Sequence, residues 1–305
     1  MTTTRVLIIG GGTMGRGIAG LCALSGFETA VFESDSEARR KLRGAIESSW
    51  KKAAARGRVS SEAVEAGGSR LRVLERLEDE RDAGLAIEAV YESLPVKSAV
   101  LESLDRLCPA ETILASNTSS LSITSLARAT RRPDRVVGIH FFNPVAAMPL
   151  VEIVRGSATS SETAESAAVF VRSLGKRAIR VADSPGFATS RLGLALGLEA
   201  MRMVEEGVAS VGDLDSAMEL GYGHRMGPLK TSDLVGLDVR LSIAETLAAQ
   251  LNEERFRPPS ILRRMVSEGR IGKKAGEGFY RWEGDSPVEV GPETGHPKKS
   301  EVERR

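Results

Sequence analysis

A glycine-rich turn that directly follows a short apolar run constrains the fold of this chain most strongly. Residues 6–9 are apolar and partly β-branched, which is typical of a buried parallel strand. The next residues read GGGTMG, so Gly10, Gly12 and Gly15 satisfy the spacing G-x-G-x-x-G, and residues 18–24 predict a helix. The spacing alone is weak evidence, but a strand, a glycine turn and a helix in this order predict a dinucleotide-binding unit.

Each residue of this turn would have a physical role in such a unit. Gly10 permits the tight turn, Gly12 lets a pyrophosphate approach the backbone, and Gly15 lets the helix pack closely on the strand. The helix N-terminus, at Thr13 and Met14, presents free N–H groups and the positive end of the helix dipole to the phosphates. A glycine turn with a purely structural role is the alternative interpretation.

An acidic residue follows at the distance that ribose recognition requires. Glu33 follows the second predicted strand, residues 29–32, and lies 18 residues after Gly15. Its carboxylate would accept hydrogen bonds from the ribose hydroxyls and would repel a 2′-phosphate. The first arginine after it is Arg39, several residues further on. The sequence therefore predicts NAD as the cofactor rather than NADP.

The order of the predicted elements indicates the fold class. Each strand is followed by a helical stretch or a turn, which is the pattern of a doubly wound α/β domain. After the segment DSPG at residues 183–186 the chain is almost entirely helical in pattern, because the proline and glycine break the preceding element. We therefore predict an α/β fold, a Rossmann-type doubly wound parallel sheet followed by an all-α C-terminal domain. The strands are predicted at residues 6–9, 29–32, 85–90, 112–115 and 135–139.

The predicted domains have different roles. Residues 1–184 form the NAD-binding Rossmann domain, residues 185–282 form a helical substrate and dimerisation domain, and residues 283–305 form a polar tail that we expect to be disordered. The helix near residues 192–203 is apolar on several sides, which is typical of a deeply buried helix or of one that packs against a partner subunit.

Composition excludes several classes of function. The 305 residues include 41% apolar and 27% charged residues, and the formal net charge is +1, so neither nucleic-acid nor membrane binding is expected. No run approaches the roughly 18 apolar residues of a membrane span. Cys22 and Cys108 lack metal-ligand spacing and imply no disulfide framework. A reducing compartment, the cytoplasm, is the expected location.

Two polar segments follow predicted strands, at residues 115–120 and 138–144. In open α/β sheets, ligands bind beyond the carboxyl ends of the strands. His140, one of three histidines, lies in the second segment, and histidine suits the proton transfer that accompanies oxidation of an alcohol by NAD. Glu152 is an isolated acid in the run VEIV and would need a partner such as His140 if it were buried. A core histidine bonded to a backbone carbonyl remains the alternative, and spacing cannot show that the two side chains touch.

Several separated motifs make the chain resemble the L-3-hydroxyacyl-CoA dehydrogenases, from about residue 6 to residue 282. The resemblance implies a Rossmann domain and a helical dimerisation domain with the acyl-CoA between them, a homodimer, and reversible NAD-dependent oxidation of a short-chain (S)-3-hydroxyacyl-CoA to the 3-ketoacyl-CoA. The motifs are GGGTMGRGIA at residues 10–19, SNTSSLSIT at 116–124, HFFNPV at 140–145, DSPGF at 183–187, GPL at 227–229 and GKKAGEGFY at 272–280.

The resemblance also implies roles for single positions. His140 matches the catalytic base, Glu152 the acid that holds it, and Ser119 the serine that contacts the substrate oxygen near the nicotinamide. Ser49 and Arg56 fall where the family contacts CoA, although a solvated helix face explains Arg56 equally well. The positions that match the cofactor side of the site are Glu92, Lys97, Asn143 and Lys274.

One position departs from the family pattern. Many members have asparagine four residues after the glycine of PGF, among the polar groups of the active site, whereas this chain has Ser190. A serine can donate one hydrogen bond but lacks the reach of the amide. Ser190 is kept as a candidate catalytic residue, with an altered substrate preference or rate as the expected consequence.

Two other functions remain open from the residues alone. The first is a related NAD-dependent dehydrogenase of a free hydroxy acid or sugar acid, because the same fold serves such enzymes. The second is a non-catalytic NAD-binding protein, against which the joint presence of Ser119, His140 and Glu152 argues.

Overall fold

The structure is a computed structural model that describes residues 5–289. The chain divides into two compact units, Met1–Phe187 and Ala188–Arg305, so the division lies slightly beyond residue 184, where the sequence places it. The N-terminal unit has a sheet with helices on both faces, and the C-terminal unit is mainly helical.

The sheet of the N-terminal unit has eight strands in the order β3-β2-β1-β4-β5-β6-β7-β8. β1 pairs in parallel with both β2 and β4, so the strand order reverses there, and ligands of open α/β sheets bind at such a switch point. This arrangement confirms the predicted Rossmann-type class. The strands are β1 Arg5–Ile9, β2 Glu28–Phe32, β3 Leu71–Leu74, β4 Leu85–Glu88, β5 Ile113–Ser116, β6 Val136–Phe141, β7 Leu150–Arg155 and β8 Arg177–Ala182.

The observed sheet differs from the prediction in two respects. β7 runs antiparallel to β6, so the sheet is not parallel throughout. β3, β7 and β8 were not predicted as strands. β3 and β8 are the two edges of the sheet and carry Arg72, Arg177 and Arg180, which interrupt the apolar pattern of a buried strand.

The helices of the N-terminal unit cover both faces of the sheet. Successive residues of β1 point to opposite faces, so Val6 and Ile8 enter one apolar cluster while Leu7 and Ile9 enter the other. Burying each of these side chains contributes about 1.5–3 kcal/mol. The helices are α1 Thr13–Leu24, α2 Ser36–Ala54, α3 Ser61–Arg70, α4 Leu94–Leu107, α5 Ile123–Ala127 and α6 Ser161–Ser173.

The C-terminal unit has its own apolar core. α7 buries Leu194, Leu198 and Met201, whereas Leu192 on another face is 71% exposed. The helix that the sequence describes as apolar on several sides therefore has one face in the core and another that is exposed. The helices are α7 Thr189–Glu205, α8 Val211–Ser216, α9 Pro228–Val235, α10 Leu237–Leu251 and α11 Ser260–Ser267.

Two buried aspartates explain two of the C-terminal motifs. Asp233 accepts hydrogen bonds from the backbone N–H groups of Phe279 and Tyr280, both at 2.9 Å, and from the Trp282 indole. A β-carbon on Gly278 would stand 2.1 Å from Oδ1 of Asp233, so the FY segment requires glycine before it. Asp215 similarly accepts hydrogen bonds from the GPL segment, where a β-carbon on the glycine would overlap it. Burial raises the pKa of both aspartates.

The prediction of a disordered tail is wrong for the first residues of that segment. β9, Tyr280–Glu283, pairs antiparallel with β10, Ser286–Glu289, while residues 290–305 lie outside the described residues. Between residues 5 and 289, none of the helices has the length and apolar character needed to span a membrane.

Candidate active site

The glycine turn joins the end of β1 to the start of α1, and two of its positions have no room for a side chain. Gly10 has φ +100°, and a β-carbon there would stand 2.7 Å from the carbonyl oxygen of Ala89. A β-carbon on Gly15 would stand 1.8 Å from the carbonyl oxygen of Gly10, so any side chain would separate α1 from the turn. These contacts support the roles that the sequence indicates for both residues.

Gly12 faces open space. Apart from Gly12 itself and its two chain neighbours, no atom of residues 5–289 lies within 4 Å of the position that its β-carbon would take, and none of their side chains caps the α1 N-terminus by a hydrogen bond. Thr13 and Met14 therefore begin the helix with N–H groups that a phosphate can use. The turn thus fits the pyrophosphate of a dinucleotide by space and by hydrogen-bond donors.

Glu33 stands beside this turn at the end of β2. Its Oε2 accepts a hydrogen bond from the N–H of Gly11 at 2.7 Å, and its Oε1 accepts one from Asp35 at 3.0 Å. Partial burial raises the pKa of Glu33, but these hydrogen bonds outweigh burial and leave the pKa below its ordinary value. An ionised, oriented carboxylate therefore lies where the sequence predicts the ribose-binding acid.

His140 and Glu152 face each other across β6 and β7. The antiparallel register pairs these two residues directly, and Nδ1 of His140 lies 2.8 Å from Oε2 of Glu152. Glu152 is fully buried and His140 is 6% exposed. Because a carboxylate only accepts hydrogen bonds, Nδ1 carries the proton and Nε2 keeps a lone pair. The structure therefore brings together the pair whose contact the sequence could not show.

Neighbouring groups orient the imidazole and its strand. The ring centroid of Phe142 lies 4.4 Å from that of His140, and the ring centroid of Phe187 lies 5.9 Å from it. Asn117 accepts a hydrogen bond from the backbone N–H of Phe141 at 2.9 Å, which ties the end of β5 to the end of β6. These contacts restrict the rotation of His140 and hold it beside the polar segment after β5.

Glu92 shapes the backbone around Ser119. One of its carboxylate oxygens accepts hydrogen bonds from the N–H groups of Ser119 at 3.1 Å and Ser120 at 3.3 Å, and from the hydroxyls of Thr118 and Ser120. Burial raises the pKa of Glu92, but the hydrogen bond from Thr118 and the charge of Lys97 lower it to a net value below the ordinary one. The Ser119 hydroxyl is consequently displayed on an exposed loop of restricted conformation.

Lys97 is buried among carboxylates, and its predicted place on the cofactor side stays a prediction. Its side chain is 1% exposed, and its ammonium lies 2.8 Å from Oε2 of Glu88 and 3.3 Å from Oε2 of Glu92. It also donates to the carbonyl oxygen of Val90 at 3.1 Å. Glu88 in turn accepts a hydrogen bond from the Ser116 hydroxyl. Lys97 therefore links two carboxylates beneath the Ser119 loop.

Asp183, in the DSPGF motif, holds the other end of the same segment. Its carboxylate accepts hydrogen bonds from the Ser122 hydroxyl at 2.7 Å and from the N–H groups of Ile123 at 3.1 Å and Thr124 at 2.8 Å. These donors are at the N-terminus of α5, which lacks internal acceptors for them. Asp183 thus stabilises the segment from residue 116 to residue 124 from the end of β8.

Comparison with known proteins decides which chemistry this arrangement serves. The sequence profile of the 3-hydroxyacyl-CoA dehydrogenase NAD binding domain matches residues 5–184, and that of the 3-hydroxyacyl-CoA dehydrogenase C-terminal domain matches residues 186–282. The chain belongs to the 3-hydroxyacyl-CoA dehydrogenase family. It is therefore an NAD-dependent oxidoreductase that oxidises (S)-3-hydroxyacyl-CoA to 3-ketoacyl-CoA.

Individual dehydrogenases are similar over nearly the whole chain. A probable 3-hydroxybutyryl-CoA dehydrogenase of Bacillus subtilis is 41% identical over 93% of this chain and 99% of its own length. The crystal structure of the (S)-3-hydroxybutyryl-CoA dehydrogenase of Ralstonia eutropha has a TM-score of 0.89 at 35% identity and covers 93% of this chain and 100% of that chain. The 3-hydroxyadipyl-CoA dehydrogenase of Escherichia coli is 38% identical over 94% of this chain and 61% of its own length.

The remaining positions predicted from the dehydrogenase family pattern lie in different parts of the chain. Asn143 is exposed just after β6, and Ser49 is exposed on α2, where its hydroxyl bonds to the carbonyl oxygen of Ile46 at 2.7 Å. Arg56 is exposed beyond the end of α2. Ser190 is in the first turn of α7, and Lys274 forms an ion pair with Asp238 at 2.7 Å, both in the C-terminal unit. Their roles toward the ligands stay predictions.

Sequence reasoning missed Glu88 and Asn117, which support the site of the dehydrogenase. Glu88 ends the apolar run LAIE and is fully buried, so it carries the same signal, an isolated acid in an apolar strand, that indicated Glu152. Asn117 carries no such signal, because asparagine is ordinary after a strand and only the neighbouring strand supplies its partner.

Proposed function

We propose that His140 is the general base of this dehydrogenase, that Glu152 is its orienting partner, and that the substrate has a short acyl chain. The single observation that carries the proposal is the buried hydrogen bond between Nδ1 of His140 and Glu152, which leaves Nε2 as a proton acceptor. The names of the Bacillus and Ralstonia relatives support the four-carbon 3-hydroxybutyryl-CoA as the reference substrate.

Proton transfer at His140 follows from this geometry. In the oxidation direction, Nε2 removes the proton of the 3-hydroxyl, and the nearby negative charge of Glu152 stabilises the imidazolium that results. In the reduction direction, the same nitrogen returns the proton to the oxygen. We propose that the hydroxyl of Ser119, on the loop held by Glu92, donates a hydrogen bond to that oxygen and that Ser190 does the same.

The cofactor would be held by the turn and by the acid beside it. Gly10, Gly12 and Gly15 with the α1 N-terminus receive the pyrophosphate, and Glu33 receives the ribose hydroxyls. NAD, when bound, supplies the acceptor for the hydride that leaves C3. Further contacts are proposed for Glu92, Asn143 and Lys274 on the cofactor side, and for Ser49 and Arg56 toward CoA.

The decisive experiment follows NADH oxidation with acetoacetyl-CoA. We expect His140→Gln to lower kcat by about 10²- to 10⁴-fold, because positioned acid–base catalysis contributes that much. NADH affinity, measured by fluorescence, should be retained. The matched control is His224→Gln, since His224 is exposed in the C-terminal unit. Near-normal turnover by His140→Gln, or turnover of free 3-hydroxybutyrate instead of the CoA ester, would refute the proposal.

Assembly and location complete the proposal. A homodimer through the C-terminal unit is supported by apolar side chains exposed there, namely Leu192, Leu234, Val235 and Val239. A cytoplasmic location is supported by Cys22 and Cys108, which are both buried and free of disulfides. Cell fractionation tests the location.

A further inference from the structure

Arg240 is a buried cation in the core-facing side of α10. Its neighbours on that side of the helix are Leu237, Ala244 and Leu247, and its own exposure is 6%. Burial lowers the pKa of the guanidinium to about 10, so the group still carries its charge at neutral pH. Charged side chains are rarely buried to this extent unless they are paired.

No pairing of this kind is found for Arg240. Its Nε is buried without a hydrogen-bond partner, and neither an ion pair nor a side-chain hydrogen bond of Arg240 occurs within residues 5–289. Lys97 provides the contrast, because it is buried equally deeply but contacts Glu88 and Glu92. A buried guanidinium for which residues 5–289 supply no counter-ion can bind an anion by charge-assisted hydrogen bonds.

Space is available beside this guanidinium. A β-carbon built on Gly193 of α7 would stand 3.8 Å from Nη1 of Arg240. Apart from residues 192 and 194 and the adjoining backbone of α7, no other atom of residues 5–289 lies within 4 Å of that point. Any side chain at residue 193 would occupy this space, so glycine leaves room for further atoms beside the guanidinium.

A candidate site residue, Ser190, precedes Gly193 on α7, and the ion partner of another candidate, Lys274, precedes Arg240 on α10. Ser190 is three residues before Gly193, and residues three apart share one face of a helix. Asp238, which holds Lys274, is two residues before Arg240 in α10. The proposed function assigns Ser190 to the 3-oxygen of the substrate and Lys274 to the cofactor. Nη1 of Arg240 therefore lies beside Gly193, about one helical turn of α7 beyond Ser190.

We propose that Arg240 binds a carboxylate at the far end of the acyl chain, so that the preferred substrate is a dicarboxylyl-CoA thioester. This inference rests on the proposed function, since it takes Ser190 as the contact of the 3-oxygen. Gly193 lies about 4.5 Å further along α7 than Ser190, from a rise of roughly 1.5 Å per residue. Three carbon–carbon bonds beyond C3 cover a similar length, so a six-carbon chain with a terminal carboxylate fits.

The test compares two substrates that differ only in this charge. Reduction of 3-oxoadipyl-CoA and of 3-oxohexanoyl-CoA is followed by NADH oxidation with the full-length wild-type enzyme. We expect kcat/KM to be about 10- to 100-fold higher for the carboxylate, which is the ratio expected of a charge-assisted hydrogen bond. Equal values would overturn the inference, while turnover of either ester would leave the proposed function intact.

The variant Arg240→Gln tests whether Arg240 causes the preference for the substrate with a terminal carboxylate. We expect the ratio of the two kcat/KM values to fall toward unity in Arg240→Gln and to be largely kept in Arg240→Lys. Arg263→Gln, which removes an exposed arginine on α11, should leave the ratio at its wild-type value. A wild-type ratio in folded Arg240→Gln would overturn the inference.

Two further measurements address a variant that fails to fold and a counter-ion other than the substrate. Inhibition of the wild type by adipoyl-CoA should be stronger than by hexanoyl-CoA, a comparison that needs no variant, and equal inhibition would overturn the inference. Sedimentation of Arg240→Gln tests whether a carboxylate of a second copy is the counter-ion instead. Loss of a dimer together with an unchanged substrate ratio would also overturn it.

Discussion

Glu152 decides which nitrogen of His140 can act as a base. Its carboxylate is fully buried and accepts the proton-bearing Nδ1 at 2.8 Å, so the free lone pair is on Nε2. A single hydrogen bond thus fixes the tautomer and provides a negative charge beside the ring.

The variant Glu152→Gln should reverse this tautomer. An amide N–H can donate to Nδ1, which would move the ring proton to Nε2 and remove the base. We expect kcat to fall by up to about 10⁴-fold, as for a comparable change in serine proteases. Measured kcat values across pH 6–9 check this expectation. Glu162→Gln, an exposed change on α6, is the control, and a kcat within a few-fold of wild type in Glu152→Gln would contradict the tautomer assignment.

The lowered pKa of Glu33 leads to a prediction about how NADH affinity depends on pH. Its pKa lies below the ordinary 4.5, so the carboxylate stays ionised at neutral pH, and its contribution to folding is lost only as pH falls through that lowered value. We therefore expect the NADH affinity of the wild type to show no change due to Glu33 between pH 6 and pH 8. Fluorescence titration of NADH measures this affinity.

Removing the charge of Glu33 should weaken NADH binding at every pH in that range. Glu33→Gln should lower the affinity by about tenfold, the usual effect of one charge-assisted hydrogen bond, and should relax the discrimination against NADPH. Glu37→Gln, in the first turn of α2, is the matched control. A wild-type affinity that already falls between pH 8 and pH 6, while that of Glu33→Gln does not, would contradict the assigned pKa direction.

At the scale of elements, three segments of the chain meet at one ion cluster, in which Glu88 and Lys97 are buried and Glu92 is partly exposed. Glu88 ends β4, Lys97 lies in the first turn of α4, and Glu92 belongs to the connection between them and binds the loop after β5. Removal of the ammonium would leave the fully buried Glu88 beside Glu92 without a cation. The cluster therefore couples the stability of the sheet to the conformation of the Ser119 loop.

The variant Lys97→Met should be strongly destabilised. Removing one partner of a buried ion pair costs about 3–5 kcal/mol of stability. Because burial already raises the pKa of Glu88, protonation of Glu88 offsets part of this loss of stability. Urea denaturation measures the free energy of unfolding. The double variant Glu88→Gln/Lys97→Met should recover part of the stability that Lys97→Met loses. The control Lys52→Met, on the exposed side of α2, should change the free energy of unfolding by less than about 0.5 kcal/mol. An equally small change in Lys97→Met would refute the role of the cluster.

At the scale of the whole molecule, each unit has its own apolar core, and the C-terminal unit also exposes apolar side chains. Leu192 is 71% exposed, and Leu234 and Val235 at the end of α9 are 44% and 41% exposed. Isolated exposed apolar residues are common, but several on one small unit are typical of an interaction surface. The proposed homodimer would cover them.

The variant Leu192→Lys tests this surface. A charge at the centre of an apolar interface must be desolvated on association, so we expect a shift from dimer to monomer in sedimentation equilibrium. Val169→Lys, a similar change of an exposed apolar residue on α6 in the N-terminal unit, should keep the wild-type mass. A wild-type protein that sediments as a monomer would refute the dimer itself.

The sequence by itself determined the local features of this protein. The strand, the glycine turn, the helix and Glu33 are close along the chain, and their spacing follows from backbone geometry, so the fold class and the cofactor could be predicted without coordinates. Helix α4 also follows from local signals, because Pro95 lies in its first turn and apolar residues recur at helical spacing.

Only the tertiary structure decided the pairings that join distant residues. The contact of His140 with Glu152 depends on the antiparallel register of β7, and that strand was not recognised because an acid interrupts its apolar run. The ion pairs of Lys97 with the buried Glu88 and the partly exposed Glu92 could not be read from the sequence either. Arg240 was indistinguishable from a surface arginine until its burial was visible. Burial and pairing belong to the packed chain, because neighbours that are far apart in sequence create them.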